Sequence, residues 1–306
     1  MNNKLRKIIE SVKEKTGANI KLASEMEDYI LLDTPFPSLN TLIGGIPLGR
    51  FTTIAGEQHT GKGVFLLQLI AHHIHKDPDF MVLWTDAEGS MDLSWAAKMG
   101  VDLERFIVQK YDLKNDTMEE LLDHSLKIIK DSKSINMWVI DSIGALVPKG
   151  DIYDSSDKEK GLEGDKMLHL QKKLGEFFRK ANVMIAPDEA SGYKGCAVIS
   201  VGQIYSVPSE YAQQEVRGGN AFKHWAHLRL MFRRGPKSDW PEPIEVIGID
   251  GAKRKIYPGW GGRIKVDKTR VNEKEGQEIL LTFMYGRGFD SRAAVLSAAF
   301  GFDLFK

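Results

Sequence analysis

Between Phe51 and Phe65 the chain reads FTTIAGEQHTGKGVF, residue types and spacing that suit a phosphate group. The β-branched run Thr52-Thr53-Ile54 predicts a strand, and Val64-Phe65-Leu66-Leu67 predicts the start of a helix. Between them lie Gly56, Glu57, Gln58, His59, Thr60, Gly61, Lys62 and Gly63. Glycines let such a loop turn sharply and bring backbone amides up to phosphate oxygens. The helix N-terminus adds about half a positive charge, and Lys62 is placed to reach β- and γ-phosphates. Gly63 departs from the usual pattern, because a Ser or Thr hydroxyl normally follows the lysine and ligates Mg²⁺.

Two carboxylate stretches add the remaining chemistry. Met137-Trp138-Val139-Ile140-Asp141 is an apolar strand ending in an acid, and Asp141 at its carboxyl edge is the candidate Mg²⁺ residue, directly or through water. Trp84-Thr85-Asp86-Ala87-Glu88-Gly89 repeats the arrangement. Glu88 is the candidate base that orients water against a γ-phosphate, and Asp86 is read as structural. A strand-terminal Asp taken alone is more often a cap or turn residue, and Asp86 or Glu88 alone could merely cap the following helix.

These residues need a scaffold, and the patterning supplies one. Strand-like segments at Phe80–Trp84, Met137–Asp141 and Ala197–Ile204 alternate with helical ones at Leu93–Met99, Met118–Lys130 and Lys166–Lys180. Such alternation predicts a mostly parallel sheet covered on both faces. From Leu228 onward strands dominate, at Leu228–Phe232, Pro243–Ile249, Arg263–Lys268 and Glu278–Met284, predicting an antiparallel extension of the same sheet. Leu5, Ile8, Ile9 and Val12 predict an amphipathic first helix stopped by Gly17, which packs on its own core or docks on a neighbouring subunit. Residues 18–50 read as extended and turn-rich.

The chain has 306 residues, zero formal net charge and one cysteine, Cys196. Any nucleic-acid binding must therefore come from local clusters, and disulfide or zinc frameworks are excluded. With no membrane-length apolar run and no signal-like start, a soluble, cytoplasmic protein is expected. His72, His73 and His75 in HHIH invite a metal reading, but no third partner is evident and an interaction with the helix dipole is preferred.

Several ordered segments resemble the RecA recombinases: DAEGSMDLSWAAKMGVD (86–102), VIDSIGALVPK (139–149), VGQIY (201–205), GGNAFKHWAHLRLMFRR (218–234) and IKVDKTR (264–270). KTRVNEKEGQ to YGRGFD is also similar to phage relatives of the UvsX type. The resemblance implies an α/β fold with a RecA-like P-loop NTPase core, a small N-terminal helix and a truncated C-terminal element. The implied boundaries are 1–32 for protomer contact, 33–286 for the ATPase core with DNA-binding loops, and 287–306. Most of the family's C-terminal domain would have no counterpart after the helix near Arg292–Phe300. The segment Ala186–Gly195 is longer than bacterial relatives would need.

The resemblance also implies roles. Glu88 matches the water-activating glutamate, Asp141 the Walker-B aspartate, and Gln203 the glutamine that senses the γ-phosphate. Asp92 and Trp95 match positions that contact adenine, although Trp95 is equally readable as core. Lys223, Lys268 and Arg270 match cations that reach ATP from the adjacent protomer; without the resemblance they read as solvated strand-face charges. Two loops, 150–164 and 206–219, would carry DNA, with Lys158, Lys160 and Arg217 on phosphates, Val207 and Tyr211 between bases, and Gly218 and Gly219 supplying freedom of motion.

The implied function is an ATP- and Mg²⁺-dependent recombinase that forms a homo-oligomeric filament on single-stranded DNA and pairs it with duplex. Single-strand-binding and loading proteins are implied partners, and no membrane is involved. Two other classes stand beside it: a regulatory filament protein with little turnover, suggested by Gly63, and a hexameric helicase-type motor.

Overall fold

A computed structural model of the chain describes residues 3–18, 20–25, 28–112, 116–153, 166–206, 214–216, 224–249 and 252–301. It divides into two compact units, Met1–Ile30 and Leu31–Lys306. In the first, helix α1 (Asn3–Thr16) ends where Gly17, at φ +65°, donates its amide to the Lys13 carbonyl at 2.8 Å. Lys13 and Lys15 fall in its last turn, where cations favour the helix dipole.

The second unit opens with β1 (Leu31–Leu32), α2 (Pro37–Ile43) and β2 (Ile46–Pro47). Helix α2 corrects the extended reading of residues 18–50. Pro37 sits in its first turn, where a fixed φ and a missing amide favour a helix start, and Leu39, Leu42 and Ile43 are buried. A proline taken as punctuation is here an initiator.

Strands and helices then alternate: β3 (Phe51–Gly56), α3 (Lys62–Lys76), β4 (Met81–Asp86), α4 (Leu93–Lys98), β5 (Phe106–Lys110), α5 (Met118–Ser132) and β6 (Ile135–Asp141). They continue through α6 (Lys149–Ile152), α7 (Lys166–Met184), β7 (Ala197–Ser206), β8 (Gln214–Val216) and β9 (Leu228–Arg234). The chain closes with β10 (Ile244–Ile247), β11 (Lys253–Ile256), β12 (Gly259–Thr269), β13 (Glu278–Met284), β14 (Gly288–Phe289) and α8 (Ser291–Gly301).

The large sheet has the order β14-β13-β12-β9-β3-β7-β6-β4-β5, with β8 beside β7. Strands β9, β3, β7, β6, β4 and β5 pair in parallel, while β12, β13 and β14 extend them antiparallel. The extension is narrower than the sequence predicts. Pro243–Ile249 does not join it; β10 pairs only with β11 in a separate two-stranded sheet. Ile244 and Ile247 are 49% and 72% exposed, so that ribbon has no core face to hold it on the main sheet.

Side-chain alternation splits the core in two. Met137 and Val139 of β6 face one cluster with Phe65, Leu66, Leu69 and Ile70 of α3, whereas Trp138 and Ile140 face another with Leu122 of α5 and Phe178 of α7. Burial on both faces explains why β6 is apolar without interruption from Met137 to Ile140, just before Asp141. Among the described residues, no helix is long and apolar enough to cross a membrane.

Candidate active site

Four adjacent parallel strands deliver the chemistry to one edge. Gly56 ends β3 and stands in register with Gln203 of β7, while Asp86 of β4 stands in register with Asp141 of β6. Gly56, Asp86 and Asp141 close their strands and Gln203 lies level with Gly56, so all stand by the crevice that opens where the parallel strands connect to helices. The crevice is a cleft of about 450 Å³ lined by the loop 58–63, Glu88, Asp141 and Gln203, with Val64 and Val201.

The loop is shaped by contacts that only glycine permits. A Cβ on Gly56 would lie 2.2 Å from the Phe232 carbonyl oxygen, and one on Gly61, at φ +80°, would lie 2.9 Å from the Phe289 ring. Gly61 caps α3 with no side-chain hydrogen bond, so no side-chain cap occupies the helix N-terminus, a geometry suited to an anion. Lys62 Nζ donates to the carbonyls of Gly56 and Glu57 at 3.1 and 2.6 Å. Burial lowers the Lys62 pKa, opposed by Asp141, Glu88 and Glu57.

Glu88 is tied down by two donors. Ser142 Oγ donates to Oε1, and Gln203 Nε2 reaches the same oxygen at 3.3 Å. Burial, then the charges of Glu88 and Asp86, push the Asp141 carboxyl up to about 7 against the pull of Lys62. Asp86 is buried and accepts the amides of Ser90 and Met91 at 3.0 and 3.1 Å, so it shapes the turn that carries Glu88. Three carboxylates thus gather beside one ammonium. Their hard oxygen donors suit a Mg²⁺ ion, whose charge would offset the burial and repulsion that raise the Asp141 pKa.

Other expected residues stand elsewhere. Asp92 caps α4, accepting from the amides of Ser94 and Trp95, and the Ser94 hydroxyl bond leads the causes that hold its pKa down. Trp95 packs against the core with Lys98 Nζ 5.1 Å from its ring. Neither lines the cleft. Lys268 Nζ and Arg270 Nη2 both donate to the His224 carbonyl, at 3.2 and 3.4 Å, at the opposite edge of the sheet. Lys223, Lys158, Lys160, Val207, Tyr211, Arg217, Gly218 and Gly219 lie outside the described residues.

The histidine cluster has a third partner that the sequence hid. Asp33 Oδ2 meets His72 Nε2 at 3.0 Å, the Asp33 carbonyl meets His73 Nε2 at 2.7 Å, and Lys76 Nζ donates to Oδ1 at 2.8 Å. The Lys76 ammonium and the His72 imidazole thus share the Asp33 carboxylate. Its 39-residue separation from His72 left no local signal. Ser142 was legible as part of the Asp141 motif, but not its bond to Glu88.

Fold and cleft together define an α/β protein of the phosphate-loop class. The chain belongs to the RecA family: the family model described as RecA N-terminal domain matches residues 15–290. It is 31% identical over 224 residues to protein RecA of Ehrlichia chaffeensis, covering 73% of this chain and 56% of that relative. It is 28% identical over 278 residues to protein RecA of Rhizobium rhizogenes, covering 89% and 68%, and 29% identical over 264 residues to that of Leptospira meyeri, covering 86% and 60%. The chain therefore spans little more than half to two thirds of the length of these relatives.

Proposed function

We propose that this protein is a DNA-dependent ATPase that coats single-stranded DNA as a filament of its own copies and catalyses homologous pairing and strand exchange. The observation that carries the reading is the Gln203–Glu88 bond. It joins the residue placed to activate water to β7, the strand that runs on toward the loop expected to meet DNA.

In this reading Lys62 and the amides at the start of α3 hold the β- and γ-phosphates. Mg²⁺, when bound through Asp141 and water, supplies positive charge to the phosphate oxygens. Glu88 accepts a proton from the water that attacks the γ-phosphorus, and ADP and phosphate leave. Ser142 and Gln203 fix the carboxylate that does so. Lys268 and Arg270 serve a different copy's cleft: β12 and β9 put Lys268 level with Thr53, roughly 10 Å along β3 from Gly56, and Arg270 lies further still from Gly56. A nucleotide wedged between copies makes turnover depend on assembly.

ATPase assays with and without single-stranded DNA, paired with a D-loop assay, test this. Stimulation and joint-molecule formation are expected; absence of both overturns the recombinase reading. Gly63 favours one second reading, a nucleotide-binding filament protein with little turnover. A Cβ on Gly63 would meet nothing within 4 Å, so Gly63→Thr adds the hydroxyl without a clash. A faster ATPase at saturating Mg²⁺ is expected, and no gain would show that the missing hydroxyl does not limit the rate.

A further inference from the structure

The phosphate loop contains one residue whose backbone its own side chain does not favour. His59 adopts φ +59°, a left-handed conformation that a residue with a Cβ takes only when something holds it. Arg234 supplies that hold from 175 residues away: its Nε donates to the His59 carbonyl at 3.1 Å.

We propose that Arg234 is a positioning residue for the phosphate cradle, acting through the His59 carbonyl to turn the amide of Thr60 into the cleft. In a trans peptide the C=O and the following N–H point in opposite directions. A guanidinium that draws the His59 oxygen toward β9 therefore directs the Thr60 N–H away from β9, and Thr60 lines the cleft. The positive charge also polarises the peptide, which makes that N–H a stronger donor to an anion.

Arg234 is itself well anchored. Its guanidinium lies over the Trp260 ring, 4.7 Å from the centroid, and Trp260 is 1% exposed. The same aromatic group continues beneath the loop: Trp260 stacks on Phe283 at 4.8 Å, Phe283 meets Phe289 at 5.2 Å, and Phe289 fills the space under Gly61. The second half of the loop is thus gripped from two sides, by Arg234 on the His59 carbonyl and by Phe289 under Gly61. One grip comes from β9 and the other from β14, both outside the sequence pattern of the loop itself.

The inference rests on the reading of the cleft as a nucleotide site, and its test has an arm that does not. In the ligand-free protein, hydrogen exchange of the 56–62 backbone should quicken about tenfold in Arg234→Ala, the size expected for one charge-assisted bond. In the same variant KM for ATP should rise about tenfold with kcat within about twofold, the signature of lost uniform binding. Arg234→Lys should not rescue, because a lysine keeps the charge but lacks the planar fork that spans Trp260 and His59. In a His59→Gly background, where positive φ carries no steric penalty, removing Arg234 should cost less than about threefold.

Unchanged loop exchange in Arg234→Ala would overturn the inference. So would an equal loss of ATP affinity in the native and His59→Gly backgrounds, which would mean that Arg234 meets the ligand directly. Failure of the native protein to bind ATP would instead remove the functional reading, while the exchange experiment still decides the role of Arg234.

Discussion

At the carboxyl ends of β4 and β6 stand Asp86 and Asp141 with Glu88 just beyond, whereas the opposite edge of the same sheet brings Arg50, Lys268 and Arg270 around His227. The two ends respond in opposite ways. At one, burial and neighbouring anions push a carboxyl up to about 7; at the other, burial and then Arg50, Arg270 and Lys268 push the His227 imidazole down to about 4. One end gathers carboxylates and the other gathers cations. In the proposed assembly, copies stacked head to tail bring the two together, and a heterologous contact of that kind generates a helical filament when its rotation does not close into a ring.

The strongest way to break this comparison is to separate the two ends onto different molecules. Arg270→Ala should lower DNA-stimulated ATPase by about 10³ or more, the range of a trans-acting arginine. Lys62→Ala should abolish turnover by damaging the other end. Mixing the two inactive proteins should restore measurable activity, since a Lys62→Ala copy still offers Arg270 to an intact neighbouring cleft. Silent mixtures at every ratio would mean that the edges do not meet between copies.

Within the acidic edge, Glu88→Gln should cost about 10² to 10⁴ in kcat with ATP affinity retained, because the amide keeps its shape and cannot take the proton. Ser142→Ala should have a smaller effect, about tenfold in kcat, since it removes one of two donors that fix Glu88. Single-turnover ATPase measurements resolve both. An effect of Ser142→Ala confined to KM would reassign Ser142 to substrate binding.

What the sequence made legible follows from where these residues stand. Lys62, Glu88 and Asp141 each end or follow a strand, and Gln203 follows the largely apolar run Ala197–Val201 within β7, so a local pattern marks both the element and its functional position. The α/β alternation was legible for the same reason, because strands buried on both faces read as uninterrupted apolar runs. What escaped depends on long-range contact. Pro37 starts a helix because Leu39, Leu42 and Ile43 find a core, and β10 stands apart because Ile244 and Ile247 find none. The bond from Arg234 to His59 and that from Asp33 to His72 join positions with no shared local pattern.

The Asp33 cluster sharpens the comparison as a control, since its charges are compensated within the chain. Against the upward push of burial, hydrogen bonds and charge from Lys76 and His72 hold the Asp33 carboxyl at about 2, below its ordinary 3.8. A folded-state pKa below the unfolded one means that the stabilisation is complete above about pH 4 and is lost as pH falls through about 2. The Asp33 side chain is 41% exposed, so solvent screening limits the effect to about 1 kcal/mol, or about 2 °C in Tm for a chain of this size. Asp33→Asn should therefore melt about 2 °C below the native protein at about pH 7, with the gap closing between about pH 4 and pH 2. Unlike the two edges, this cluster should give the same gap with or without ATP and DNA. A gap that widened on assembly would place Asp33 at a contact between copies and end its use as a reference.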